Sequence, residues 1–279
     1  MLSMILIELE KIFRKWRTYI GLAAIIVLVA LIQTVMFIQG DQYGNMMLQS
    51  LRQTFSIDAK LINGYLLAFL VKGLTYVHIP FLVTLVSGDI LAGEATGGTI
   101  RVLLTKPLTR SKILLAKYIT TEIYTLLVVA TLALMSYAVS VWLFGPGQLV
   151  VINSDGVVVL AKNDVAWRFI YSYLYIFLGL STVSTLAFFF SSLVENALGP
   201  IISTMAVIIV FTALSFLDVS SIRTLKQFFF TTHIAGWRLF FDDPIQWDSI
   251  YKSGSILLGH CIGLFGITWF MFTRKDVTT

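Results

Sequence analysis

Six stretches of this chain are each long and apolar enough to cross a bilayer, and this constrains its fold more than any other feature. A helix needs about 20 mostly apolar residues to span the hydrocarbon core. Thr18–Ile38, Leu61–Gly88, Tyr118–Phe144, Trp167–Phe190, Leu198–Leu217 and Gly254–Phe272 meet that requirement. With no water in the core, each backbone N–H and C=O must be satisfied within its own segment, so these stretches predict helices. The expected fold is therefore an all-α integral membrane protein with six transmembrane helices. Composition agrees: 57% of the 279 residues are hydrophobic and 13% charged, against about 25% charged in soluble domains. The mean hydropathy of +0.87 excludes a soluble globule, and the same numbers exclude disorder. The single cysteine, Cys261, excludes a disulfide framework and cysteine-based metal sites. The first stretch is too long for a signal-peptide core, and Gln39-Gly40-Asp41-Gln42 offers no small-x-small cleavage site, so it is read as a retained anchor.

Six spans place both termini on one side. Segments 1–17, 89–117, 191–197 and 273–279 hold 11 of the 20 Lys and Arg, concentrated beside the first three spans. Basic flanks stay cytoplasmic, so both termini of this multi-pass protein are expected there. The net charge of +5 reports topology, and no basic, aromatic-interleaved patch points to nucleic acid.

The segments between the spans are informative. Within 1–17, Ile5, Leu9, Ile12, Phe13 and Trp16 recur at helical spacing while Glu8, Lys11, Arg14 and Lys15 take the other side. This predicts an amphipathic helix in the membrane interface, its basic side toward anionic headgroups. In the cytoplasmic segment 89–117, Gly93, Gly97, Gly98 and Pro107 break the chain. A short helix is expected over Thr99–Thr105, and a second, capped by Thr109 or Ser111, runs through Lys112 and Lys117 into the third span. Such stiff pieces around a proline corner make a docking surface. Gly88 and Gly93 have the spacing of a phosphate-binding loop, but Glu94-Ala95 stand where Lys and Ser/Thr are required. In the outer loop 145–166, Leu149–Ile152 and Val157–Ala161 flank Asn153-Ser154-Asp155-Gly156 as a hairpin with a four-residue turn. The outer segment 218–252 mixes aromatic with basic residues and is expected to form two short helices dipping into the outer leaflet, divided at Gly236 and at Asp242-Asp243-Pro244; an ordinary interfacial loop is the competing reading.

The run Gly93-Glu94, Gly98-Thr99-Ile100-Arg101, Leu103-Leu104, Pro107-Leu108-Thr109-Arg110 and Lys112-Ile113-Leu114 resembles the cytoplasmic segment after the second span in ABC type-2 permeases, the membrane subunits of ATP-binding-cassette exporters. The order of parts is similar over nearly the whole chain: N-terminal interfacial elbow helix, six spans, and a membrane-dipping outer segment between spans five and six. The resemblance implies a single permease domain over 1–279 that transports without catalytic residues of its own. It implies two ABC ATPase subunits as partners, which bind ATP and Mg, and a second permease chain, identical or homologous. The coupling positions it implies are Gly93, Glu94, Gly98, Thr99, Arg101, Pro107, Leu108, Arg110 and Lys112. Lys11, Arg14, Lys15 and Trp16 belong to the interfacial helix. This chain itself is expected to hold no cofactor.

Ionisable groups at membrane depth are costly and so are candidates for function. Lys72, with Tyr65 and Tyr76 at helical spacing, is read either as a cation facing the pathway or as a lysine snorkelling to the headgroups, the second being preferred. Tyr76 and His78 complete the pathway candidates, and His78, two residues before Pro80, is expected to mark a kink. Glu122 is expected to pair with Lys117 or a partner helix. Trp167, Tyr171, Tyr173 and Tyr175 read as an aromatic belt, and His260 and Cys261 as packing residues. Histidines at 78, 233 and 260 give no metal-binding spacing. Two other classes are weaker. An ATP-independent carrier would show broken helices in corresponding halves, and an intramembrane enzyme would need a nucleophile–base pair or carboxylate dyad inside the spans.

Overall fold

A computed structural model describes residues 1–52, 62–98, 109–153, 156–217 and 223–274, with backbone alone at 41 and 43–52. The molecule is mostly helical. Among the described residues, five helices are long and apolar enough to cross a membrane, and a bent pair makes a sixth if counted as one span.

Helix α1 (Leu2–Phe13) leads into α2 (Trp16–Arg52). The apolar part of α2 ends at Gly40, but its backbone stays helical well past the expected end at Ile38. The stretch 61–88 was expected to be one tilted or protruding helix. It is instead α3 (Gly64–Tyr76) and α4 (Ile79–Ser87), bent by 51°. Pro80 lacks the N–H that would continue the helix, and the His78 ring bonds the Leu74 carbonyl at 3.2 Å, so the kink falls where His78 and Pro80 predict it. Helix α5 (Asp89–Thr96) follows.

Helix α6 (Arg110–Phe144) carries a π-helical stretch at Leu134–Val139. A π stretch disturbs the regular hydrogen-bond ladder, and at membrane depth its carbonyls must find partners in the protein. Gln33 of α2 answers this, donating to the Met135 carbonyl at 2.7 Å and the Ser140 hydroxyl at 3.0 Å. Strands β1 (Leu149–Asn153) and β2 (Gly156–Leu160) pair antiparallel, Leu149 opposite Leu160, as the turn residues predict.

Helix α7 (Lys162–Leu193) is the axis of the molecule: 72% of its apolar window is buried, against 17–28% for the other four long helices. Its run Gly179-Leu180-Ser181-Thr182-Val183-Ser184-Thr185 is small and hydroxylic, which lets neighbouring backbones approach closely. Thr185 and Thr182 return their hydroxyls to carbonyls four residues back. Ser184 meets Ser87 at 2.9 Å and Thr185 meets Tyr118 at 3.0 Å. Two of the four belt aromatics, Tyr173 and Tyr175, are buried in this packing; they point to different sides of a helix that is covered on most of them, Tyr173 bonding Ser136 and Tyr175 the His233 carbonyl. Helices α8 (Gly199–Phe216) and α11 (Trp247–Arg274) flank the axis.

Between α8 and α11 lie α9 (Arg223–Lys226), α10 (Phe230–Ile234) and a 3-10 turn, Ala235–Phe241. Gly236 sits inside the 3-10 turn and divides nothing. Phe230, Ile234, Trp237, Phe240 and Phe241 are buried, so the apolar side of this segment packs on protein.

Gly64 shows how tightly the start of α3 is held. A Cβ there would lie 2.5 Å from the Val141 Cα and 2.7 Å from the Ser140 carbonyl, and its N–H donates to the Gly145 carbonyl at 2.7 Å. These are backbone atoms and cannot rotate away. Gly64→Ala is expected to cost about 2–3 kcal/mol, read as a lowered midpoint in thermal unfolding of the detergent-solubilised chain.

Candidate functional site: the paired charges of the first helix and the segment after the bent span

Helix α1 does not present all its charges outward. Glu8 is buried, while Leu2, Leu6 and Ile7 are exposed. The expectation that Glu8 and Lys11 face headgroups is corrected, because both turn inward to meet α5 and α6. The Lys117 Nζ lies 2.7 Å from Glu8 Oε2 and 2.7 Å from Glu94 Oε2. The Lys11 Nζ lies 2.7 Å from Glu8 Oε1 and 2.8 Å from Glu94 Oε1. Two carboxylates and two ammonium groups thus alternate in a closed ring. It joins α1, α5 and the start of α6, three pieces far apart in sequence. Lys117 is 1% exposed, with Glu8 and Glu94 at 9% and 11% in their side chains.

Lys117, Glu8 and Glu94 need their partners, since a buried charge is tolerable only when paired, while Lys11 closes the ring from its wet side. Burial alone would raise the Glu94 carboxyl, but the charge of Lys117 and the hydrogen bonds from Lys11 and Lys117 outweigh it and hold the group below its ordinary value. Burial would likewise lower Lys11, and its bonds to Glu8 and Glu94 lift it above the ordinary lysine value instead. Glu122 is not the partner of Lys117. It lies deeper along α6, beside Ser181 and Ser184.

A second cluster ties the α1–α2 corner to the same segment. Asp89 accepts from Lys15 at 2.7 Å and from Arg17 at 3.0 Å. Its carboxylate fills the space left by Gly93, where a Cβ would stand 2.4 Å from Asp89 Oδ1. Gly93→Ala is therefore expected to push Asp89 off Lys15 and Arg17, loosening the corner without touching the ring. Increased proteolysis near residues 14–17, with Lys117 pairing unchanged, checks it. From the other side, the Ser191 hydroxyl accepts from the Leu91 and Ala92 N–H groups at 3.1 and 2.9 Å, so α5 is clamped between α1 and α7.

Of the remaining coupling positions, Gly98 has a left-handed backbone with φ +67°, which glycine adopts without strain. Arg110 donates to the Thr273 carbonyl at 3.4 Å, at the end of α11, and Lys112 is exposed. Thr99, Arg101, Pro107 and Leu108, with the expected helix 99–105, lie outside the described residues. Helix α6 begins at Arg110, as expected, although Thr109 makes no side-chain cap. Arg14 pairs with Glu10 at 2.5 Å, and Trp16 is 79% exposed.

The pathway candidates separate. Lys72 is fully buried, which overturns snorkelling. It also faces no open pathway in this conformation. Its Nζ donates to Ser172 at 2.7 Å and lies 4.3 Å from the ring centres of Trp237 and Phe241, 4.5 Å from Phe169, 5.2 Å from Tyr173 and 5.9 Å from Phe69. The reason is the segment between α8 and α11, whose 3-10 turn Ala235–Phe241 closes over it. Arg168 holds that turn, donating to the Phe240 and Asp242 carbonyls at 3.0 and 2.7 Å. Tyr76 packs edge-on to Trp237, and His78 is exposed on the opposite side of the bend.

A family model described as a protein of unknown function (DUF2705) matches residues 25–278. The chain belongs to the DUF2705 family. No curated protein matches the sequence. The family match takes in Lys72, Asp89, Glu94 and Lys117, and begins inside α2, after Glu8, Lys11, Lys15 and Arg17. In this DUF2705 chain, reading along the sequence passed over Glu8, Asp89 and Lys117 as site residues. Their one visible signal is an acid or base at the edge of an apolar stretch, where desolvation demands a partner.

Proposed function

We propose that this DUF2705 chain is the membrane-spanning permease subunit of an ATP-binding-cassette exporter, with six transmembrane spans when the bent pair is counted as one. Both termini are cytoplasmic, and α1 is an interfacial elbow. The segment 89–117 receives force from a separate ATPase that binds ATP and Mg, and a second permease chain completes the pathway. The membrane is the bacterial cytoplasmic membrane.

The observation that carries this reading is the ion-paired ring. Force from a soluble motor reaches spans only through a stiff element, and a ring of Glu8, Lys11, Glu94 and Lys117 welds α1, α5 and α6 into one body beside the proposed docking segment. Leu2, Leu6 and Ile7, exposed on α1, give the elbow an apolar side for the bilayer. The resemblance of 93–114 to the ABC type-2 pattern supplies the kind of partner.

One observation favours an ATP-independent carrier instead. The second span is broken beside the fully buried Lys72, and broken helices are a device of such proteins. It stands alone, without a matching broken helix in the other half among the described residues.

The decisive experiment is a mild-detergent purification of the tagged chain from its native host, with co-purifying proteins identified by mass spectrometry. A nucleotide-binding ATPase at about equal stoichiometry is the expected result. Recovery of the chain alone, under conditions that preserve other membrane complexes, would overturn the exporter reading and favour the carrier.

A further inference from the structure

The Asp89 cluster is unbalanced. Two cations, Lys15 and Arg17, serve one carboxylate, leaving one positive charge over among the described residues. Asp89 is 8% exposed in its side chain, whereas Lys15 and Arg17 are 45% and 46% exposed and open onto a groove of about 430 Å³. The other charges on that groove are committed: Lys11, Glu8 and Glu94 to the ring, Arg14 to Glu10. The rest of its lining includes the apolar Ile12, Leu85, Val86 and Ile90. A second groove, of about 340 Å³, lies further along the same α2–α4 seam, walled chiefly by Ala24, Ile25, Leu28, Phe81 and Leu82. From Arg17 to Ala24 is about 10 Å along α2. The seam therefore passes from a cationic groove to an apolar one over roughly the depth that separates a headgroup phosphate from its upper acyl chain.

We propose that this seam is a binding site for one anionic phospholipid, its phosphodiester on Lys15 and Arg17 and an acyl chain against Ala24, Leu28, Phe81 and Leu82. A phosphodiester carries the single negative charge the cluster lacks, and a guanidinium presents paired donors to phosphate oxygens. A free phosphate would satisfy the cations but has no use for the second groove, so the lipid is the occupant. The site depends on the chain being a membrane protein and does not depend on the ATPase reading. It is tested on the purified chain alone, so either proposal can fail without the other.

The test is native mass spectrometry and thermal unfolding of the full chain in detergent, with added phosphatidylglycerol, phosphatidylcholine or glycerol 3-phosphate. One phosphatidylglycerol is expected to be retained and to raise the unfolding midpoint more than phosphatidylcholine does. Arg17→Gln is expected to weaken that preference about fivefold, and Asp89→Asn, which frees both cations, to strengthen it. Ala24→Trp sits on an exposed position of α2 and changes no charge; it is expected to block the acyl chain and reduce retention while the chain still folds. Equal retention of the two lipids would overturn the proposal. So would glycerol 3-phosphate acting as well as the lipid, or Arg17→Gln and Ala24→Trp both binding as the parent does.

Discussion

Replacing Lys117 by Met is expected to destabilise the chain by about 3–5 kcal/mol, the usual cost of removing one partner from a buried ion pair. Glu8 and Glu94 would then share Lys11 alone, which is 43% exposed in its side chain and partly screened by water. At about 2–4 °C per kcal/mol for a chain of this size, the unfolding midpoint in detergent falls by roughly 10 °C. Lys11→Met, at the wet side of the ring, is expected to cost less than about 1 kcal/mol. A triple variant, Glu8→Gln, Glu94→Gln and Lys117→Met, removes the unpaired charges and recovers most of the loss. If Lys117→Met alone unfolds like the parent, the ring does not hold α1 to α5 and α6.

The ring also fixes a pH dependence. Glu94 is held below its ordinary 4.5, so its contribution is complete above pH 4.5 and is lost as pH falls through the lower, folded-state value. Lys11 is held above its ordinary 10.5, so its contribution is complete below pH 10.5 and is lost as pH rises through the higher value. Stability from the ring should be flat between about pH 5 and 10 and fall on both sides. The gap between parent and Lys117→Met should narrow on the acid side, where the carboxylates take up protons. Unfolding midpoints measured from pH 3 to 8 check this, and a gap that widened in acid would contradict it.

The second large effect is expected at Lys72. Lys72→Ala empties the centre of the cage formed by Phe69, Phe169, Tyr173, Trp237 and Phe241. Large-to-small changes in well-packed interiors cost about 2–5 kcal/mol, and here the loss should appear as loosening of 235–241. Lys72→Met keeps the volume and removes the ammonium. The five ring contacts of Nζ, at about 1–2 kcal/mol each, are of the same order as the several kcal/mol that desolvating an ammonium costs, so Met is expected to fold about as well as Lys. Under the permease reading proposed above, transport assays on the two variants separate packing from charge. A functional cation predicts that Lys72→Met is stable and inactive. If Lys72→Met loosens 235–241 as much as Lys72→Ala, the Lys72 nitrogen itself holds the cage shut.

Much of the architecture was legible in the order of residues. The apolar stretches marked the long helices, because at membrane depth only a helix satisfies its own backbone. Asn153-Ser154-Asp155-Gly156 marked the hairpin, and His78 with Pro80 marked the bend, through local backbone chemistry that needs no distant partner. The start of α6 at Arg110 and the helical stripe on α1 were visible for the same reason.

The site was legible only in part. The resemblance singled out Gly93 and Glu94, but it does not say that Glu94 pairs with Lys117 and Lys11 or that Gly93 makes room for Asp89. Neither fact has a sequence period. Lys72 looked free to reach the headgroups because the chain gives no sign that 235–241, more than 160 residues later, folds back over it. Glu122, near the end of its span, is read from sequence as pairing with Lys117 or a partner helix, yet five positions place it about 140° around the helix from Lys117, toward Ser181 and Ser184. What the sequence by itself determined were properties settled within a few turns of chain: which segments are helical, where they break, and that the chain belongs in a membrane. Which charge meets which, and which face of α1 is inward, was decided only by tertiary structure. A buried ion pair is selected by three-dimensional proximity and desolvation, and both arise only once the helices pack.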